Sequence, residues 1–214
     1  MQDPQIHQLI AVPEEKRDTQ WENLFFHSLT QSSLDILSEA PQTGPDGLPY
    51  LLTQISEKAT EPTSKIIQWL SDKGIGLVVN PTKEYPDYVF TYGMIWHFKE
   101  SGYFYHVAED RKAGTVEIQV NEKYQYGEPS LEYLPLYVRK ILREFFRDQG
   151  LFAVKVLMLS QDGKNFDLAI SLECLGNPPE SEHQGIAEVI SWFLPPHYSL
   201  LLVSEKDLPK FFEL

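Results

Sequence analysis

Apolar positions along this chain switch between helical and alternating spacing, and each switch marks an element. After a polar arm, Trp21, Leu24, Phe25 and Leu29 repeat at helical spacing, with Asp18 placed as an N-cap. In LDILSEAPQTGPDGLPYLLTQIS two apolar runs flank a loop rich in Gly, Pro and Asp, which predicts strand, long turn and strand. A second helix is expected from a Thr60 cap, with Pro62 in its first turn and Ile66, Ile67, Trp69 and Leu70 on its buried side. Gly74 stands where a left-handed residue would stop it, and Gly76–Val79 reads as a short buried strand ending at Asn80-Pro81.

From Tyr88 to Val120 the period becomes two. Phe90, Tyr92, Met94, Trp96 and Phe98 alternate with Val89, Thr91, Gly93, Ile95 and His97, and turns at Ser101-Gly102 and Arg111–Gly114 predict a three-strand meander with one aromatic face. The polar stretch NEKYQYGEPS gives the expected boundary between an N-terminal domain, 1–127, and a C-terminal domain, 128–214. A helix follows from Glu132 to Gln149, lined by Leu134, Val138, Ile141, Leu142 and Phe145 and stopped at Gly150.

Beyond it, FAVKVLMLS and NFDLAISLE flank Asp162-Gly163, a two-residue turn signal that sets Leu157 opposite Leu168 and Leu159 opposite Phe166. Ser181 and Gln184 form a capping box for a helix burying Ile186, Val189, Ile190 and Phe193. A last strand, Tyr198–Val203, leads to a short helix capped by Ser204 and carrying Leu208, Phe211 and Phe212. The expected fold is α+β: two small domains, each a mostly antiparallel sheet packed by helices, with C-terminal order α-β-β-α-β-α.

The helix LPLYVRKILREFFRDQG, the strand AVKVLML, the DG turn, FDLAISLE, a helix ending in proline and the strand SLLLV together resemble the C-terminal domain of the bacterial SseB-like family (enhanced serine sensitivity proteins). FFHSLTQSSLDIL, DGLPYLLTQIS and GIGLVVNP are similar to that family's other domain. The resemblance covers most of the chain outside the aromatic stretch 88–120. It implies a bacterial cytosolic protein with a regulatory role and no established chemistry.

Composition narrows the function classes. Hydrophobic residues make up 42% of the 214 and aromatics 13%, enough apolar surface for a folded core. The net charge of −13 is evenly spread: 10 basic and 18 acidic residues up to Gly127, 8 and 13 after it. No half is basic, which argues against a nucleic-acid partner. No apolar run reaches the 18 or so residues needed to span a bilayer, so no membrane partner is expected. The first residues lack the basic-then-apolar order of a secretory signal, which points to the cytoplasm.

Candidate chemistry is sparse. No P-loop and no G-x-S-x-G elbow occurs, Gly74 and Gly76 lack the third glycine of a dinucleotide loop, and no cofactor is expected. Cys174, the single cysteine, has no basic neighbour in sequence and reads as an inert thiol. In the expected meander His97 faces His106, with Cβ atoms about 4.5–5.5 Å apart, close enough to share a metal ion but short of a third ligand. Arg139, Arg143 and Arg147 form a basic stripe on one helix, suited to an acidic partner, to a phosphate group or, as the solvated face of an amphipathic helix, to solvent. Two apolar rows, one with Val154, Val156, Met158 and Ala169, the other with Trp96 and Tyr105, must pack internally or mark an interface. The expectation is a non-enzymatic protein acting through contact with another protein or with itself. A ligand sensor with an aromatic pocket and a hydrolase or metal enzyme with a dispersed site are the alternatives.

Overall fold

A computed structural model describes residues 4–105 and 124–214 and shows an α+β fold. The chain divides into two compact units, Met1–Val107 and Ala108–Leu214. The sequence boundary after Gly127 falls elsewhere: the strand Gln125–Gly127 pairs within the second unit's sheet.

The first unit opens with α1 (Pro4–Ile10) and α2 (Thr19–Thr30). Asp18 caps α2 by accepting the Trp21 backbone N–H at 2.8 Å, as its spacing predicts, and Trp21, Phe25 and Leu29 turn inward. The strands are β1 (Ser33–Ile36), β2 (Gln42–Thr43), β3 (Pro49–Gln54), β4 (Glu61–Pro62), β5 (Gly76–Val79) and β6 (Tyr88–Phe90). They lie in the order β4-β1-β3-β5-β6, with β2 also on β3; β3 and β5 are parallel, joined by the crossover helix α3 (Thr63–Ser71). Leu51 and Thr53 register with Leu77 and Val79, so all four share one face of the sheet. Leu51, Leu77 and Val79 join Phe25, Leu29, Ile67, Leu70, Phe90 and Ile95 in a continuous core. On the other face Tyr50 lies over Gly76, where a Cβ would come within 2.7 Å of the Tyr50 ring and of the Phe90 carbonyl oxygen. Only glycine fits that crossing.

Two details of α3 differ from expectation. Thr60 is exposed and the helix begins at Thr63, because Glu61-Pro62 is taken up as a strand pairing with β1. The Thr63 hydroxyl instead donates to the Ser32 carbonyl at 2.9 Å, and Trp69 is 47% exposed rather than buried.

The aromatic meander is overturned. After β6 the chain turns into a helix, α4 (Tyr92–Ser101). Thr91 caps it by accepting the Met94 N–H at 3.3 Å, and Gly102 ends it at φ 80, donating its N–H to Phe98 at 2.7 Å. Tyr92, Gly93, Met94, Ile95 and Trp96 are all buried. A run buried on every side satisfies a period of two as readily as 3.6, so alternation carried no information there. The expected strands beyond Tyr105 lie outside the described residues.

The second unit holds β7 (Gln125–Gly127), α5 (Leu136–Asp148), β8 (Lys155–Ser160), β9 (Asp167–Ser171), α6 (Glu180–Trp192), β10 (Ser199–Val203) and β11 (Phe212–Glu213). Strand order is β10-β9-β8-β11, with β7 sharing the β8 edge with β11. β9 and β10 are parallel, with α6 as their crossover. α5 buries Val138, Ile141, Leu142 and Phe146, and the Phe145 ring lies 4.6 Å from Phe193 beyond α6.

The β8–β9 register is displaced by one residue from the two-residue turn. Leu157 faces Ala169 and Leu159 faces Asp167. The loop between Ser160 and Asp167 is wider because Asp162 accepts the N–H groups of both Lys164 and Asn165, at 2.8 and 2.7 Å. The slip moves Ala169 onto the face of Leu157, away from Val156 and Met158. The capping box is also absent: α6 starts at Glu180 after Pro179, and the Gln184 amide bonds Glu188 at 2.9 Å. Past β10 there is no closing helix. The Ser204 hydroxyl donates to Glu173 at 2.5 Å, Phe211 is buried and Phe212 enters β11.

Candidate functional site

The expected histidine pair does not form on a sheet. His97 is on α4, half-buried, its ring edge-on to Tyr103 and Tyr105 at 5.1 and 6.1 Å, and burial lowers its pKa. His106 lies outside the described residues. Among the described residues no group of three or more His, Cys, Asp or Glu is arranged to hold a metal.

The expected interaction rows have gone inside their own units. Val154, Val156, Met158 and Ala169 are 0–7% exposed, Ala169 on the opposite face of the sheet from Val156 and Met158. Trp96 is 2% exposed, whereas Tyr105 remains at the surface. Phe26, Tyr88, Phe90 and Phe104 pack ring to ring at 4.5–5.6 Å.

Arg139 is 6% exposed and belongs to the architecture. It donates to the carbonyls of Leu134 and Pro129 and, at 3.0 Å, to the Glu128 carboxylate, fixing the segment that leads into α5. It is therefore withdrawn from the basic stripe, and its neighbours on α5 make the outward face. Arg143 donates to the Leu214 carbonyl at 2.9 Å, and Arg147, one turn on, is exposed. They line a shallow groove of about 40 Å³, partly open to solvent, with Phe146, Leu151, Phe152 and Val154. Phe152 is 82% exposed. Comparisons with family models, curated proteins and solved structures return no match. The surface is accordingly read from its own geometry.

Two polar clusters were not anticipated. In the first unit, the carboxylate of Asp87, with a side chain 1% exposed, receives Arg17 at 2.6 Å, Lys83 at 2.6 Å and the Asn80 amide at 2.5 Å. Asn80 takes a left-handed conformation (φ 55) and accepts the Ile55 N–H at 2.8 Å, tying the ends of β3 and β5 together. Lys83 also donates to the Ile10 carbonyl, and Arg17 to that of Val12. Every side chain in the knot bonds another part of the chain.

In the second unit, parallel pairing of β9 and β10 brings Ser171, Glu173 and Cys174 beside Ser204 and Glu205, with Lys155 from β8. Lys155 donates to Glu205 at 3.0 Å and Ser171 to the same carboxylate at 2.7 Å. These bonds, that from Ser171 first, hold the Glu205 carboxyl below its usual range; the Ser204 bond does so for Glu173. The Cys174 thiol donates a hydrogen bond to the Ser171 carbonyl at 2.9 Å, and its sulfur accepts one from the Lys155 backbone N–H. Burial pushes this thiol up, so it is not an activated nucleophile. A strand–helix–strand order was readable from the sequence. Because such a unit is parallel, it juxtaposes the two strand ends, and that was the available signal for this cluster.

Proposed function

We propose that this protein acts by contact with another protein, through the surface of Arg143, Arg147 and Phe152, rather than by catalysing a reaction. One observation carries the reading: Phe152 is 82% exposed at the rim of a groove that also presents two arginine side chains. An exposed aromatic beside guanidinium groups is the composition of an interface centre, where aromatic residues and arginine contribute most. In a chain of net charge −13 this basic, apolar spot suits an acidic partner with an apolar anchor. The reading is supported further by how fully the reactive-looking groups are engaged: Asp87 by three cations and amides, Glu205 by Lys155 and Ser171, Cys174 by Ser171. The resemblance to the SseB-like family supports a bacterial, cytoplasmic and regulatory setting. No described helix is long and apolar enough to cross a membrane.

The test is affinity capture with the intact chain and with Phe152→Ala and Arg147→Glu variants, proteins being identified and then titrated individually. A protein bound directly by the parent chain and at least about tenfold more weakly by both variants supports the reading. Capture that is the same with all three chains sinks it.

A further inference from the structure

We infer that the chain pairs with a second copy of itself through the edge of β10 that no described strand covers, strand to strand and antiparallel about a two-fold axis at Leu201. The inference concerns a different surface from the contact reading above and stands independently of it.

Among the described residues β10 pairs only with β9. The other described edges, β4, β6, β7 and β11, are two or three residues long, and β4 carries a proline. β10 has five residues, Ser-Leu-Leu-Leu-Val, with no charge or proline to guard them, and its four apolar residues are half-buried on both faces. Natural edge strands of this length are blunted unless something pairs with them.

The backbone selects the register. Val203 accepts the Leu172 N–H, so its polar groups face β9. Because these groups alternate along a strand, those of Leu201 and Ser199 also face β9, while the N–H and C=O of Leu200 and Leu202 point outward. An antiparallel copy centred on Leu201 sets Leu200 opposite Leu202 of the second copy, and the reverse. All outward groups of the strand are then satisfied in four mutual hydrogen bonds. Leu201 meets its own counterpart on the axis as a non-hydrogen-bonded pair, and Ser199 meets Val203. Past the strand, Ser204 lies across from Tyr198 and Glu205 from His197, so no like charges are opposed. A heterologous strand would have to reproduce this length and register; a second copy does so by symmetry. Five residues a side fall well short of a standard interface of about 1,600 Å², so the dimer is weak and concentration-dependent.

The decisive experiment is cross-linking in a Cys174→Ser background. Cα atoms of a non-hydrogen-bonded antiparallel pair are about 4.5 Å apart, within disulfide range. Mild oxidation of the Leu201→Cys variant is expected to give a covalent dimer, and of the Leu200→Cys variant much less, since its counterpart is Leu202. In parallel, sedimentation equilibrium of the parent chain should show a dimer that Leu202→Pro weakens at least about tenfold, because proline removes an outward N–H that no bond within the sheet uses. A dimer that survives Leu202→Pro and fails to cross-link through position 201 overturns the edge pairing alone. A chain monomeric at its highest soluble concentration overturns the inference as well, while the contact reading still stands or falls on the Phe152 and Arg147 variants.

Discussion

Asp87 ties two stretches of the first unit together: its carboxylate is out of water, and its partners are Arg17 ahead of α2 and, just after β5, Asn80 and Lys83. Removing one member of a buried pair leaves the others desolvated and unpaired. Asp87→Ala is therefore expected to cost about 3 kcal/mol in urea unfolding, whereas Lys83→Ala, at a half-exposed partner, costs about 1 kcal/mol or less. Cys174 makes a prediction of a different kind. Its raised pKa leaves less thiolate at any given pH, so alkylation at neutral pH should be slower than for a free cysteine and should accelerate only at higher pH. By linkage, the stability this thiol contributes is complete below its unfolded pKa and is lost as pH rises through the folded one. Asp162 has the opposite sign. Hydrogen bonds from Asn165 and Lys164 lower its pKa to about 2. Its hold on the β8–β9 loop is whole above the ordinary carboxylate value of about 4 and fades as pH falls toward 2. Titration of its carboxyl carbon by NMR checks this, and a midpoint near 4 would refute it.

At the scale of elements, α4 shows what a sequence can and cannot say. Thr91 and Gly102 are ordinary helix punctuation, but the apolar run between them is buried all round, and the alternation of its aromatic residues imitated a strand. The punctuation should now be measurable: Thr91→Ala and Gly102→Ala are each expected to destabilise the unit by about 1 kcal/mol, through a lost cap and a forced left-handed alanine. Thr60→Ala, at the cap predicted for α3, should change stability by less than about 0.5 kcal/mol, since Thr60 is exposed and outside the helix. Equal losses at all three positions would contradict the assignment. Elements marked by local chemistry were legible: the Asp18 cap, the left-handed Gly74, the buried β5, the core of α5 and the β9–α6–β10 succession. Register was not, because it turns on how Asp162 wraps its loop, a choice made by hydrogen bonds rather than by hydrophobic pattern. The candidate surface was half legible. Arg143 could be picked out as part of a basic stripe, but the exposure of Phe152 and the withdrawal of Arg139 depend on tertiary packing.

On the scale of the whole molecule, 31 acidic against 18 basic residues leave net repulsion in the folded state. Raising sodium chloride from low to moderate concentration should therefore raise the melting temperature, since screening relieves the long-range repulsion more than it weakens the buried Asp87 contacts. A melting temperature that falls steadily with salt would mean that surface ion pairs dominate instead. The Asp87 knot has one further consequence. The Arg17 guanidinium that grips Asp87 also lies 4.5 Å over the Trp21 ring, and Trp21 is stacked on Phe25 and gives its indole N–H to the Leu9 carbonyl. When the knot opens, that indole loses its cation and its shelter together. Its emission should then shift to the red, giving an unlabelled optical signal for a loosening that begins at a carboxylate seventy positions beyond Arg17.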